Sequence, residues 1–159
     1  MEQAEQHKEF MREAIALAER SVAAGGGPFG AVVVCDGRII GRGHNRVTLD
    51  NDPTAHAEMM AIREACRAIG SFRLEGCELY VNCEPCPMCL AACYWARLER
   101  IYYAGTTTAA ADGGFDDAVI YREVCAPATE RHISMTQLLQ DEVVQAFETW
   151  RAKSDRVDY

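Results

Sequence analysis

The stretch Thr54–Glu58, TAHAE, is followed by Cys83–Cys89, CEPCPMC, and no other feature limits the fold as tightly. A chain that sets a histidine and a glutamate two residues apart, then three closely spaced cysteines, builds either a cysteine-rich core or a metal site that does chemistry. Cys86 and Cys89 are three apart at an expected helix start, so their sulfurs fall on one face. His56 lies in the expected first turn of another helix. Two thiolates and an imidazole suit zinc, and three protein ligands leave a fourth position for water. Zinc brings the pKa of such a water toward neutrality, and Glu58 is the base placed to take the proton. Residues two apart on a regular helix point to roughly opposite sides, at about 100° per residue. His56 and Glu58 therefore share a site only if both sit at the helix start, with the metal beyond its end. Helix N-termini there also favour thiolate over thiol.

A rival reading uses four cysteines. Cys83, Cys86, Cys89 and Cys93 match the C-x2-C-x2-C-x3-C spacing of a bacterial iron–sulfur run. Tyr94 stands where that run expects proline, and no second run exists. Cys93 also continues the Cys86/Cys89 stripe, as a core residue would. The eight cysteines (35, 66, 77, 83, 86, 89, 93 and 125) are expected as reduced thiols, because MEQAEQHKEF lacks the apolar stretch of an export signal. The longest apolar runs, such as AVVVC, are too short to span a bilayer. These features predict a soluble, cytoplasmic protein. A net charge of −8 argues against a general electrostatic grip on nucleic acid, although Arg38, Arg42 and Arg46 lie close together.

At 159 residues the chain is long enough for one domain with a proper core, and neither a repeat nor a linker divides it. Apolar residues from His7 to Ala24 recur at helical spacing until Gly25–Gly27 end the helix. FGAVVVCDGRIIGRG reads as two strands joined at Asp36-Gly37. A second helix is expected from Asp52-Pro53-Thr54 to Gly70, CELYVN as a strand, and a helix from Pro87 to about Arg97. RIYYAG is the next strand, Phe115–Val124 a helix, HISMTQL a fifth strand, and Glu142–Lys153 the last helix. The order predicts an α/β domain with a mixed five-stranded sheet, antiparallel at the hairpin and parallel beyond it.

NDPTAHAEMMAIREAC and CEPCPMCLAACYWAR resemble the cytidine deaminase superfamily of zinc deaminases, and look closest to its bacterial guanine deaminases. H-x-E with P-C-x-x-C is that superfamily's zinc signature. The likeness runs from GGPFGAVVV through GGFDDAVIY to the terminal tyrosine. It implies a three-layer α/β/α fold, one zinc on His56, Cys86 and Cys89, and Glu58 as proton shuttle. It also implies that Asn45 hydrogen-bonds the purine and that Asp117 reads the guanine edge and aids proton transfer. Phe29, Trp95 and Ala57 line the pocket, and Tyr159 closes it. In such a relative the C-terminal segment, here about residues 140–159, is swapped between two subunits, which implies a homodimer. Without the resemblance, Asn45 reads as a turn residue, Phe29 and Trp95 as core, and Tyr159 as part of a disordered tail.

The implied reaction is hydrolytic deamination of guanine to xanthine and ammonia, in purine catabolism or salvage. Its runner-up is a tRNA adenosine deaminase acting on a flipped nucleotide, which needs basic surface near the site. Guanosine or cytidine deamination is a minority reading. A non-catalytic zinc or iron–sulfur module is disfavoured by Glu58 beside an open position, since structural zinc sites close with a fourth ligand.

Overall fold

Ala31, Val32 and Val33 are consecutive and wholly buried, so their strand must be covered on both faces. In the computed structural model this strand, β1 (Gly30–Cys35), lies inside the sheet. The structure describes residues 2–159, with side chains from residue 3. They fall into two units, one ending at residue 118 and the other spanning 119–159.

In the first unit, α1 (Glu2–Ala23) precedes β1, and β2 (Arg38–His44) returns beside β1 through Asp36 and Gly37. Both turn residues have positive φ, 48° and 70°, as the expected Asp-Gly hairpin requires. A short α2 (Val47–Asp50) and then α3 (Ala57–Ile69) follow. Next come β3 (Cys77–Cys83), α4 (Pro87–Trp95), β4 (Arg100–Gly105) and a short α5 (Thr107–Asp112). The sheet order is β2-β1-β3-β4. Inward positions alternate along the strands. Val32, Val34 and Tyr80 pack with Leu17 of α1 on one face. Ala31, Val33, Leu79 and Val81 pack with Ala57, Ala61 and Ala65 of α3 and Cys93 of α4 on the other. This is the expected three-layer arrangement.

Three expectations need correction. The sheet has four strands among the described residues, because HISMTQL forms no ladder. Its apolar residues do not keep a period of two, and Ile133 and Leu138 are each 78% exposed. Beyond the hairpin, β3 also runs antiparallel to β1, and only the β3–β4 pair is parallel. α4 supplies the crossover that a parallel pair needs. The second helix begins at Ala57, not at Asp52–Thr54. Asp52 Oδ1 accepts from the Thr54 backbone N–H (2.8 Å) and hydroxyl (2.7 Å), a local turn that competes with helix initiation. The helix still ends at Gly70 as expected.

The second unit begins as α6 (Ala118–Cys125) passes residue 118. It continues through a 3-10 turn, Ala128–Glu130, to α7 (Gln140–Ala152). Arg131 Nε donates to the carbonyls of Glu123 and Ala126, each at 3.1 Å. No described residue of 119–159 is buried.

The α3–β2 contact sets the height of the helix over the sheet. A Cβ at Gly41 would lie 2.3 Å from the Ala61 carbonyl oxygen, and one at Gly43 would lie 2.0 Å from that of Ala57. Ala57, Ala61 and Ala65 lie on one helix face, so two backbones meet with almost no side chain between them. Gly43→Ala is expected to lift the start of α3 and lower stability by about 1–3 kcal/mol or more, with weakened zinc retention. Chemical denaturation together with zinc analysis checks this, and an unchanged midpoint would refute the close contact.

Candidate metal centre

Two of the three ligand candidates occupy helix caps, and the third, Cys89, lies in the first turn of α4. His56 is the N-cap of α3, with φ −70° and ψ 158°, and Cys86 is the N-cap of α4, with φ −65° and ψ 167°. Neither side chain caps its own helix, so both are free to turn toward a third party. The helix-rotation objection dissolves at such a position. Extended backbone at His56 lets its imidazole and the Glu58 carboxyl face the same region although they are only two residues apart. Pro87 at the first turn of α4 fixes φ where no N–H partner is lost.

His56 Nδ1 lies 3.6 Å from Cys86 Sγ and 3.5 Å from Cys89 Sγ. The three donor atoms all fall within 4.8 Å of one another. With Zn–S of about 2.3 Å and Zn–N of about 2.05 Å, a tetrahedral ion has N···S edges of about 3.6 Å. The donor set therefore fits zinc in both chemistry and span. A hydrogen bond from Cys89 and the neighbouring His56 hold the Cys86 thiol down to about 4, overcoming its burial.

Glu58 is buried in the first turn of α3. Burial pushes its carboxyl above the ordinary range, and the Cys86 charge adds to the effect. Asp117 is half-buried just before α6, and its carboxyl is raised by partial burial and then by Cys86. Two carboxyl groups thus sense the same metal-ligand charge. Cys83 and Cys93 do not join the ligand set among the described residues. Cys83 Sγ instead donates to the Thr106 carbonyl at 3.5 Å, and Cys93 packs in the core, where burial lifts its thiol to about 12. The four-cysteine cluster geometry is not formed.

The remaining expected site residues are placed as follows. Asn45 is buried directly after β2, and Oδ1 accepts from the backbone N–H of Gly27 (3.2 Å) and Val47 (3.3 Å). What it offers a ligand is therefore its Nδ2 donors. Phe29 meets Phe115 edge-on, with centroids 4.9 Å apart and planes at 84°, which ties the glycine-rich segment to the stretch carrying Asp117. Ala57 is wholly buried under Gly43, while Trp95 closes α4 at 62% exposure. Tyr159 ends the second unit and is 71% exposed.

Two polar residues were not anticipated. Ser21, wholly buried in α1, donates from Oγ to the Asn45 carbonyl at 2.9 Å. Asn82 of β3 donates to the Pro28 carbonyl (3.0 Å) and accepts from the Gly30 N–H (2.9 Å), gripping the backbone on both sides of Phe29. An asparagine inside the apolar strand CELYVNC was the available signal.

A family model described as the cytidine and deoxycytidylate deaminase zinc-binding region matches residues 4–105. The chain is 51% identical to the guanine deaminase of Bacillus subtilis over 154 residues, covering 96% of this chain and 99% of that one. A solved X-ray structure of guanine deaminase from Bacillus subtilis superposes with a TM-score of 0.93 over 96% of this chain and 98% of that chain. A tRNA-specific adenosine deaminase of Aquifex aeolicus is 47% identical over 95 residues, which cover 60% of this chain and 63% of that one.

Purified protein is expected to hold about one zinc per chain. Cys86→Ser or His56→Ala should abolish tight binding, while Cys83→Ser should retain it. Elemental analysis decides the matter. Iron with inorganic sulfide, or zinc lost with Cys83 but kept without Cys86, would overturn the assignment.

Proposed function

The chain belongs to the cytidine and deoxycytidylate deaminase zinc-binding family, and on that basis we propose that it hydrolytically deaminates guanine to xanthine and ammonia. One observation carries the substrate: the likeness to a guanine deaminase spans 96% of the chain, far beyond the 4–105 metal module. The likeness to the tRNA-specific adenosine deaminase of Aquifex aeolicus covers only 60% of the chain, although its 47% identity keeps adenosine as the second reading.

His56, Cys86 and Cys89 hold zinc, which when bound supplies a Lewis acid that activates water as a nucleophile toward C2 of guanine. Glu58 takes one proton from that water and passes it to the ring nitrogen N3. It then carries the second proton to the departing amine, so that both protons of the water are accounted for in xanthine and ammonia. Asn45 donates from Nδ2 to an acceptor on the base. Asp117 accepts from the N1–H and amino edge, which presents donors only. Phe29 and Trp95 line the base, whereas Ala57, wholly buried, acts only by seating the start of α3 against Gly43.

The active assembly is a homodimer in which the partner subunit's Tyr159 closes the pocket and excludes water from the reacting carbon. What supports this is the absence of any buried residue in 119–159, where Ile133, Leu138, Leu139 and Phe147 are exposed. So much apolar surface on one short segment is a protein–protein contact signature. Among the described residues no helix is long and apolar enough to cross a membrane. Eight free cysteines, two of them metal ligands, suit the reducing cytoplasm.

Guanine should release ammonia and form xanthine, faster than adenine, with no competition from a tRNA anticodon stem. Glu58→Gln should keep its zinc while turnover falls by at least about 10²–10⁴-fold. Near-wild-type turnover in that variant removes Glu58 from the reaction, and inosine formation in tRNA would promote the second reading. Light scattering should give twice the chain mass, and deletion of residues 140–159 should return a monomer that keeps zinc but not activity. A full-length monomer with full activity would refute the shared pocket.

A further inference from the structure

The run of three glycines after α1 does more than end a helix. Only Gly25 needs a left-handed backbone, at φ +90°. Gly26 is required by space, and Gly27 is closely fitted against its neighbour. A Cβ at Gly26 would lie 2.4 Å from the Asn45 carbonyl oxygen and 2.6 Å from Ser21 Oγ, where no atom fits. One at Gly27 would lie 3.2 Å from both Cγ and Oδ1 of the Asn45 amide. These residues surround a side chain already held at several points. Asn45 N–H donates to the Phe29 carbonyl at 3.0 Å. Its own carbonyl accepts from Ser21 Oγ and lies 3.2 Å from His44 Nδ1. Its Oδ1 accepts the N–H of Gly27 and of Val47. Two backbone donors converging on one side-chain atom fix that atom as oxygen, so the amide cannot turn over without burying donor against donor.

We infer that Ser21, Gly26 and Gly27 are positioning residues that hold the Asn45 amide with its oxygen toward the protein and its Nδ2 outward. The site then accepts a base at the point where it presents a carbonyl oxygen or a ring-nitrogen lone pair, and rejects one that places an amino group there. This rests on the reading that Asn45 meets the substrate. The expected signature is in binding more than in chemistry, because Asn45 handles no transferred proton.

The test uses zinc-loaded protein and guanine. Gly27→Ala and Ser21→Ala are each expected to raise KM by about tenfold, the equivalent of one neutral hydrogen bond, with kcat moved less and zinc content unchanged. In an Asn45→Ala background neither change should add further loss, since both act through the missing amide. Asn45→Asp keeps an oxygen for Gly27 and Val47 but faces an acceptor toward the base, so it should bind guanine more weakly than Asn45→Ala. If Gly27→Ala fails to fold, Ser21→Ala carries the comparison. Wild-type KM in both positioning variants while Asn45→Ala is impaired refutes the inference, as do losses that add to that of Asn45→Ala. Tighter binding by Asn45→Asp than by Asn45→Ala refutes the donor-outward orientation. Unchanged kinetics in Asn45→Ala would instead overturn the reading that Asn45 touches substrate.

Discussion

The structure depends on two helix N-termini aimed at one point. In most helices the N-cap side chain satisfies its own helix, and omitting it costs about 1 kcal/mol. Here the N-caps are His56 and Cys86, and neither bonds back to its helix. The open ends leave positive helix-dipole fields beside the sulfurs, which is where thiolates are stabilised. A zinc ion held by His56, Cys86 and Cys89 would offset what the two caps omit and join α3 to α4. Zinc is therefore as much a fastening as a reagent.

That fastening works only if α3 lies close to the sheet. The glycines of β2 and the alanine face of α3 bring backbone against backbone, and Gly43 meets Ala57, the residue between His56 and Glu58. Packing at the edge strand is thus converted into the position of His56 and Glu58. Asn82 plays the corresponding part on the other side, by holding the chain at both ends of Phe29.

What the sequence revealed was chiefly local. Asp36-Gly37, Gly70, and Cys86-Pro87 with Cys89 each encode their geometry within a few residues, and each is found as read. The metal triad was legible because its spacing is chemical. Non-local pairing was not. Nothing inside CELYVNC states that it runs antiparallel to β1, and the broken alternation of HISMTQL was too short a signal to exclude a strand. Asp52 looked like a cap because its competing bond to Thr54 is invisible without coordinates. Ser21 reaches a partner 24 residues away, and Asn82 reaches Gly30 across 52. A helix serine carries no mark of such an errand, and an asparagine in an apolar strand signals a polar partner without saying which.

The two units also differ in how firmly they are held. Residues 1–118 contain every buried side chain, whereas 119–159 contain none among those described. Local opening follows buried apolar contact, so the later segment is the first to melt wherever a second copy does not cover it. Under the proposed shared pocket, zinc retention and base recognition then have different thresholds for failure. In the proposed dimer, gentle heating or dilution would cost such a catalyst its substrate before its metal, and cooling or concentration would restore it without a new search for zinc.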